Sequence, residues 1–510
     1  MKKINYVLIA LLLFSALLFF YQLGAPSVWD NDEGQLLGSS VEMLKSGEFL
    51  TPHLNSEVYF HKPPFMAWLT SIVFWLFGFS EFAGRSWAAV CGVGGVYVTY
   101  LFGKKLYSER VGLLSALVLA TSGLYFALSR MALVDIMLCF FITLSLYLFY
   151  SGYKEPEKSG WFYGSYASMA LGTMTKGPLG LVIPAISILI FLMLEKRLDF
   201  IFKMRPLKGL LIYLLIASPW FIIETIRQGT YFIDIIFGLY LFNIYTKPLQ
   251  QHPGPVYYYL IIVLLTMLPW SGFLISALFK KPQGLLLSWA GIMFLIFSTA
   301  ATKVPGYILP AFPALALITG KYLNDVLEGK NRKTFFAGLL FAGVLVLLLI
   351  IAGNYISIPA EYLGALATLK ILLYFMLAGA LLALVFQFIR PLYSIYAWAG
   401  ILVVFFLALV TVFLPLAEGQ KYTKDFARKI DGAKQVGYYQ TWLPPSFIYY
   451  LNAGNYPVVV KLIKDKRELR TYMRQNEKVY CLTADMEAKR FNYPLAMNKA
   501  GYALISNKVK

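Results

Sequence analysis

Three carboxylates arrive within four residues just after the first apolar run of this 510-residue chain: Asp30, Asp32 and Glu33, in the stretch WDNDEGQ. A carboxylate within hydrogen-bond reach of a hydroxyl can take its proton as a general base. The competing explanation is local. Acids here also cap and favour a helix opening near residue 33, where unpaired N–H groups and the positive end of the helix dipole lie. A fourth acid, Asp135 in VDIMLCFF, falls about one turn inside an apolar run. A carboxylate at membrane depth is costly unless partnered. Its expected partner is Arg130 or a lysine from another outer loop, and a plain structural ion pair is the alternative use.

Three lysines could answer those acids. Lys62 in VYFHKPPF precedes two prolines that set the backbone and stop a helix. A cation held there suits a phosphate. Lys176 in TMTKGPLG sits in a short turn between two apolar runs. Lys303 in ATKVPGYILP sits in another, with Tyr307 four residues on and so on the same face if the turn is already helical. A cation and a phenol together can hold a phosphate oxygen. For each lysine the bland alternative is a side chain snorkelling to the interface. The three histidines, His53, His61 and His252, fall in loops on the same side. Two of them with a carboxylate such as Glu57 could bind a divalent metal. No H-x-x-x-H or C-x-x-C spacing supports this, and each histidine taken alone reads as a surface residue.

The elements that must position these groups are membrane helices. Residues are 59% hydrophobic and only 14% charged, against about 25% charged in soluble domains. Apolar runs predict about thirteen spans: 5–22, 81–102, 111–128, 131–151, 161–175, 178–194, 208–226, 256–275, 284–300, 304–321, 334–352, 368–388 and 393–416. The first is read as an uncleaved span, since its core is long for a signal peptide and no A-x-A site follows. Most basic clusters lie in one set of short loops, which the positive-inside rule makes cytoplasmic. The net charge of +19 therefore reflects topology and does not point to nucleic acid. The other set of loops, which carries every candidate above, is outside. Residues 22–80 and 227–255 are expected to hold helices lying at the outer surface. After residue 416, short apolar runs alternate with polar helical stretches, the pattern of a small α/β domain over 417–510. The three cysteines form no disulfide framework.

In order along the chain, NDEGQLLGSSVEMLKSGEFLTPHLNSEVYFHKPPF, LVDIMLCFF, TKGPLG and TKVPGYILPAFPALA resemble the integral-membrane GT-C glycosyltransferases of the aminoarabinose-transferase and protein O-mannosyltransferase type. The resemblance covers residues 1–330 by motif and the remainder by architecture. It implies a polytopic α-helical membrane protein with a small outer C-terminal α/β soluble domain, the catalytic domain spanning 1–416. It implies a polyprenyl-phosphate sugar donor, and an acceptor that is lipid A, another glycan or a protein. It places the chain in a bacterial inner membrane, with site and soluble domain periplasmic. Asp32 and Asp135 would be the essential acids, with Glu33 beside them. Lys62 and Lys303 would hold the donor phosphate, with Tyr307 and Lys176 nearby. Two departures stand out. Gln35 occupies the place where the family tends to have arginine, and His61 the place of an acid. The second departure raises a divalent metal at His61 and His252, though the reaction is expected to require no cofactor.

A lipid or solute transporter is the competing class, since it too would place acids and lysines at a membrane cavity. It predicts inverted repeats and midplane charges, and neither is visible. A non-catalytic scaffold would not gather charge on one rim.

Overall fold

The computed structural model describes residues 5–508, apart from 237, 239–245, 248–251, 360–361, 420, 431–432 and 455–457. Much of the expected outer loop 227–255 therefore lies outside the described residues.

Local chemistry starts several helices. α1 (Tyr6–Phe20) is capped by Asn5, whose side chain accepts from the Leu8 N–H. α2 (Asp32–Ser46) and α3 (Phe65–Phe77) follow, with a two-stranded hairpin of β1 (His53–Leu54) and β2 (Glu57–Val58) between them. α4 (Glu81–Leu106) and α5 (Glu109–Ala120) are capped by Ser80 and Ser108, which accept from Ala83 and Val111. Each cap satisfies one of the donors that a helix start leaves unpaired. α6 (Gly123–Leu128) is a short continuation, and α7 (Val134–Lys154) begins one residue before Asp135. α8 (Gly160–Lys176) and α9 (Leu179–Leu194) form a tight hairpin.

Among the described residues, six helices are long and apolar enough to cross a membrane, and a seventh crossing arises if the helices Tyr258–Thr266 and Ser271–Leu278, bent by 120°, count as one. The remaining expected spans fall on shorter or broken helices. The predicted run 111–128 is interrupted between α5 and α6, and 304–321 opens as a 3-10 turn, Pro305–Ala311, before the helix Phe312–Leu327. Apolar patterning finds such segments but cannot see where the helical ladder breaks inside them. α7 is the hub, packed against α4, α8, α9 and the 3-10 turn. The late helices Arg332–Tyr355, Leu363–Ile389 and Pro391–Ala408 leave large apolar side chains such as Leu348, Val385 and Tyr396 exposed. That is the surface expected of helices that face hydrocarbon instead of water.

α3 is strongly apolar but only 13 residues long. At 1.5 Å per residue it reaches about 20 Å, short of a bilayer core about 30 Å thick. Its exposed Trp75 and Phe77 suit an interfacial position.

The C-terminal region closes into a five-stranded sheet of order β4-β3-β5-β7-β6, where β3 is Gln435–Tyr439, β4 Val459–Ile463, β5 Tyr480–Ala484, β6 Leu495–Lys499 and β7 Tyr502–Ser506. β3 runs parallel to both β4 and β5, and β7 is antiparallel to β5 and β6. The parallel pairs need crossovers, supplied by the helices Pro445–Asn452 and Lys466–Met473. Alternate residues fill two faces. Val436, Leu482 and Leu504 pack with Phe447 on one. Tyr439, Cys481 and Ile505 pack with Leu469 and Tyr472 on the other.

Candidate active site

The start of α2, the Lys62 loop, the α8–α9 turn and the 3-10 turn meet around one cavity of about 540 Å³. Asp32, Glu33, Gln35, His61, Lys62, Lys176, His252 and Tyr307 all line it. These eight residues come from five stretches that are distant in sequence and are brought together only by packing.

Asp32 is the first residue of α2, but it does not serve as the cap. Its carboxylate sits 3.0 Å from Lys62 Nζ, with the acid half exposed at 51% and the lysine mostly covered. The ammonium of Lys62 outweighs burial and holds Asp32 below the usual carboxylate range. Lys62 can do this because Pro63 and Pro64 end the extended loop and open α3 beside it. His61 stacks on Tyr59 with ring centroids 4.0 Å apart. Burial first, then the charge of Lys62, push its imidazole down to about 4. It is therefore neutral at neutral pH. Gln35 accepts a hydrogen bond of 2.5 Å from the Tyr59 hydroxyl.

Asp135 is buried in the first turn of α7. Of the two expected partners, the lysine is the one used: Lys176 Nζ lies 2.5 Å from Asp135 Oδ1. Gly177 makes this contact possible. Its φ of +74° turns the chain sharply after α8, a conformation that costs glycine little and other residues much. The same ammonium stands 4.2 Å over the Tyr307 ring. Arg130 goes elsewhere and donates to the Leu18 and Phe19 carbonyls at the end of α1.

Two expectations are corrected by the geometry. Glu33, expected among the acids doing chemistry, is fully occupied. Arg85 donates to both its oxygens at 2.8 and 2.9 Å, and the Trp29 and Ala132 amides donate at 2.8 Å each. No lone pair is left facing a reactant. Lys303, expected at the donor phosphate, turns its ammonium onto the Phe297, Ser298 and Ala300 carbonyls at 2.9, 2.7 and 2.6 Å. These lie at or just beyond the end of the helix Gly284–Thr299, where carbonyls lack intrahelical partners. All three ammonium protons are used. Lys303→Met is therefore expected to lower stability by about 1–3 kcal/mol, read as a drop in unfolding temperature, with affinity for polyprenyl phosphate unchanged. Loss of that affinity at unchanged stability would return Lys303 to the phosphate site. As for a metal, among the described residues no three His, Cys, Asp or Glu side chains gather as ligands.

Residues 61–223 match the family model described as dolichyl-phosphate-mannose-protein mannosyltransferase. An undecaprenyl phosphate-alpha-4-amino-4-deoxy-L-arabinose arabinosyl transferase of Edwardsiella ictaluri is 31% identical over 345 residues, which cover 65% of this chain and 62% of that one. An uncharacterized protein of Aquifex aeolicus is 35% identical over 332 residues, 64% of each chain. Among solved structures, ArnT from Cupriavidus metallidurans bound to undecaprenyl phosphate superposes with a TM-score of 0.86 at 20% identity, over 98% of each chain. The chain is similar to membrane glycosyltransferases of the aminoarabinose-transferase type. The match spans just under two thirds of the length of these curated relatives. An Archaeoglobus fulgidus oligosaccharyltransferase in the apo form shares the fold more loosely, with a TM-score of 0.55 at 13% identity, over 94% of this chain and 70% of that one. The helical architecture with its small C-terminal sheet is thus the fold of these structures.

Beside the cavity, sequence reasoning missed Arg85, the partner of Glu33. Its guanidinium is buried and also holds the Leu23, Pro26 and Ser27 carbonyls at 3.0, 2.7 and 2.9 Å. The signal was present. An arginine four residues after Glu81, inside an otherwise apolar helix, needs an anion nearby. Met131, Leu133, Leu179, Ile236, Ile296 and Phe297 form an apolar wall of the cavity.

Proposed function

We propose that this chain is a glycosyltransferase that moves a sugar from a polyprenyl-phosphate donor to a hydroxyl of lipid A, another glycan or a protein, inverting the anomeric carbon. One observation carries the reading: Asp32, its partner Lys62, and Lys176, which is paired with the buried Asp135, line one cavity with an apolar wall. A prenyl tail suits that wall, and a phosphate suits the ammonium groups. The donor's phosphodiester carries one negative charge. As the bond from the anomeric carbon to phosphate oxygen breaks, the departing polyprenyl phosphate gathers a second. Lys62 and Lys176 stabilise that developing charge, which lowers the barrier in a site partly shielded from water. The acceptor oxygen attacks the anomeric carbon from the opposite face, and Asp32 takes its proton.

Lys62 serves both partners. In the resting site its ammonium holds Asp32 as a weak base. A bound phosphate competes for the same cation, so donor arrival strengthens the base that the next step needs. A pH prediction follows with a definite sign. A carboxylate held below its ordinary range stays charged as pH falls, and the base is lost only beneath that range. Donor cleavage is expected to show no acid limb from Asp32 between pH 5 and 8, as roughly set by an ordinary carboxyl near 4. In Lys62→Met the limb moves upward. A pH–rate profile of single-turnover cleavage measures both, and an unmoved limb would detach Asp32 from Lys62.

We place the cavity and the C-terminal domain on the periplasmic side of a bacterial inner membrane, and the distribution of lysine and arginine among the short loops supports this. Whether the sugar is a pentose or a hexose is decided by trial donors. The deciding assay incubates the full chain, in vesicles, with a radiolabelled polyprenyl-phosphate sugar and a glycolipid extract. Release of polyprenyl phosphate with label on the acceptor is expected. Movement of the intact lipid between leaflets without cleavage would make the chain a transporter.

A further inference from the structure

We propose that the C-terminal domain is a working part of the active site: it clamps the turn that carries Asp32, with Ser446 as a positioning residue. The catalytic consequence rests on the transferase reading above, while the clamp is a matter of geometry alone.

The turn needs holding. Asn31 has φ 62° and ψ −120° and makes no capping bond with its side chain. Few residues other than glycine adopt such a conformation, and it persists where the surroundings over-determine it. Arg85 of α4 and Glu33 of α2 hold the turn from one side, through the Ser27 carbonyl and the Trp29 amide. From the other side the hold comes from Glu418, at the very end of the last candidate span, and from the region after it. Glu418 accepts from the Ser27 amide at 2.6 Å, and the Tyr450 hydroxyl accepts from the Val28 amide at 2.7 Å. Lys421 stands 3.8 Å over the Trp29 ring. Ser446, fully buried, donates to the Asp30 carboxylate and lies 2.9 Å from Thr423 Oγ1. Every residue from Ser27 to Asp30 is thus fixed by this region just before the strained Asn31 and the proposed base. The approach is as close as backbone allows. A Cβ at Gly34 would come within 2.5 Å of Ser446 N and 2.7 Å of Pro445 C. Glycine at this position in the first turn of α2 is what lets the helix Pro445–Asn452 seat on it.

The geometry predicts a functional split between position and binding. Lys62 and Lys176 lie on other elements, so loosening the clamp misplaces Asp32 without removing the cations that hold a phosphate. Hydrogen exchange by mass spectrometry and donor kinetics on the full chain test this, with Gly34→Ala, Ser446→Ala and the outer-surface control Arg467→Ala. The expected result is amide exchange in residues 28–34 roughly tenfold faster in the first two variants, with α7 unchanged. Turnover of the polyprenyl-phosphate sugar is expected to fall about tenfold at nearly constant KM, since small misplacement of a reacting group costs rate more than affinity. The control behaves as wild type. Unchanged exchange in Ser446→Ala, or faster exchange with unchanged turnover, overturns the proposal. If Gly34→Ala does not fold, Ser446→Ala, which removes a single oxygen, decides alone. A wild-type chain that cleaves no lipid-linked sugar would sink the transferase reading and the catalytic consequence with it, and the exchange measurements would still decide the clamp.

Discussion

Asp32→Asn is expected to slow sugar transfer by about 10²–10⁴-fold, the range that a positioned general base supplies, while the protein folds and binds donor normally. The change conserves size at a half-exposed position, so it leaves no cavity and no buried charge. What it removes is the ability to accept a proton. It also frees Lys62 from its counterion, so donor affinity is expected to hold or rise slightly. That combination, a lower kcat without a higher KM, is the mark of an interaction made only in the transition state. Single-turnover donor consumption and equilibrium binding of polyprenyl phosphate separate the two. A variant that folds, binds and transfers at the wild-type rate would remove Asp32 from the reaction. An acceptor that attacks through a phosphate would need no base, and Asp32 would then position the donor.

The second large effect concerns stability. Arg85→Leu is expected to destabilise the protein by about 3–5 kcal/mol, the cost of leaving one member of a buried ion pair uncompensated. Glu33 is wholly buried and would lose two of its four donors. The Leu23 and Pro26 carbonyls would lose the Arg85 donor as well, and the Ser27 carbonyl would keep only Lys421. Arg85→Lys is expected to recover little, because an ammonium cannot present the forked pair of N–H groups that both carboxylate oxygens require. The measurement is the unfolding midpoint of the detergent-solubilised chain. A shift worth less than about 1 kcal/mol, as for an exposed pair, would mean that the Asp32 turn is held mainly by the C-terminal domain.

Much of the site was legible in the sequence for one reason. Ionisable side chains at membrane depth are expensive, so Asp32, Asp135, Lys62 and Lys176 stood out against apolar neighbours, and a rule about loop charge put them on one side. The same logic misplaced Lys303. Charge and spacing say that a lysine is at the rim but not which way its stem bends, and the open carbonyls at the end of the helix Gly284–Thr299 claimed it. Glu33 was placed among the reacting acids because Arg85 was missed. That partner lies 52 residues away, in a helix read only as a plain span.

Hydropathy and loop charge, both properties of the chain read in order, determined that this is a polytopic helical protein with a small α/β domain after its last membrane helices. Which cation meets which carboxylate was decided only by tertiary structure. The turn at Gly177 gave Asp135 to Lys176 over Arg130, and the paired prolines gave Asp32 to Lys62. An ion pair is a short-range contact that depends on a few ångströms. Sequence pattern places a residue on an element and a side of the membrane, and packing supplies the final approach.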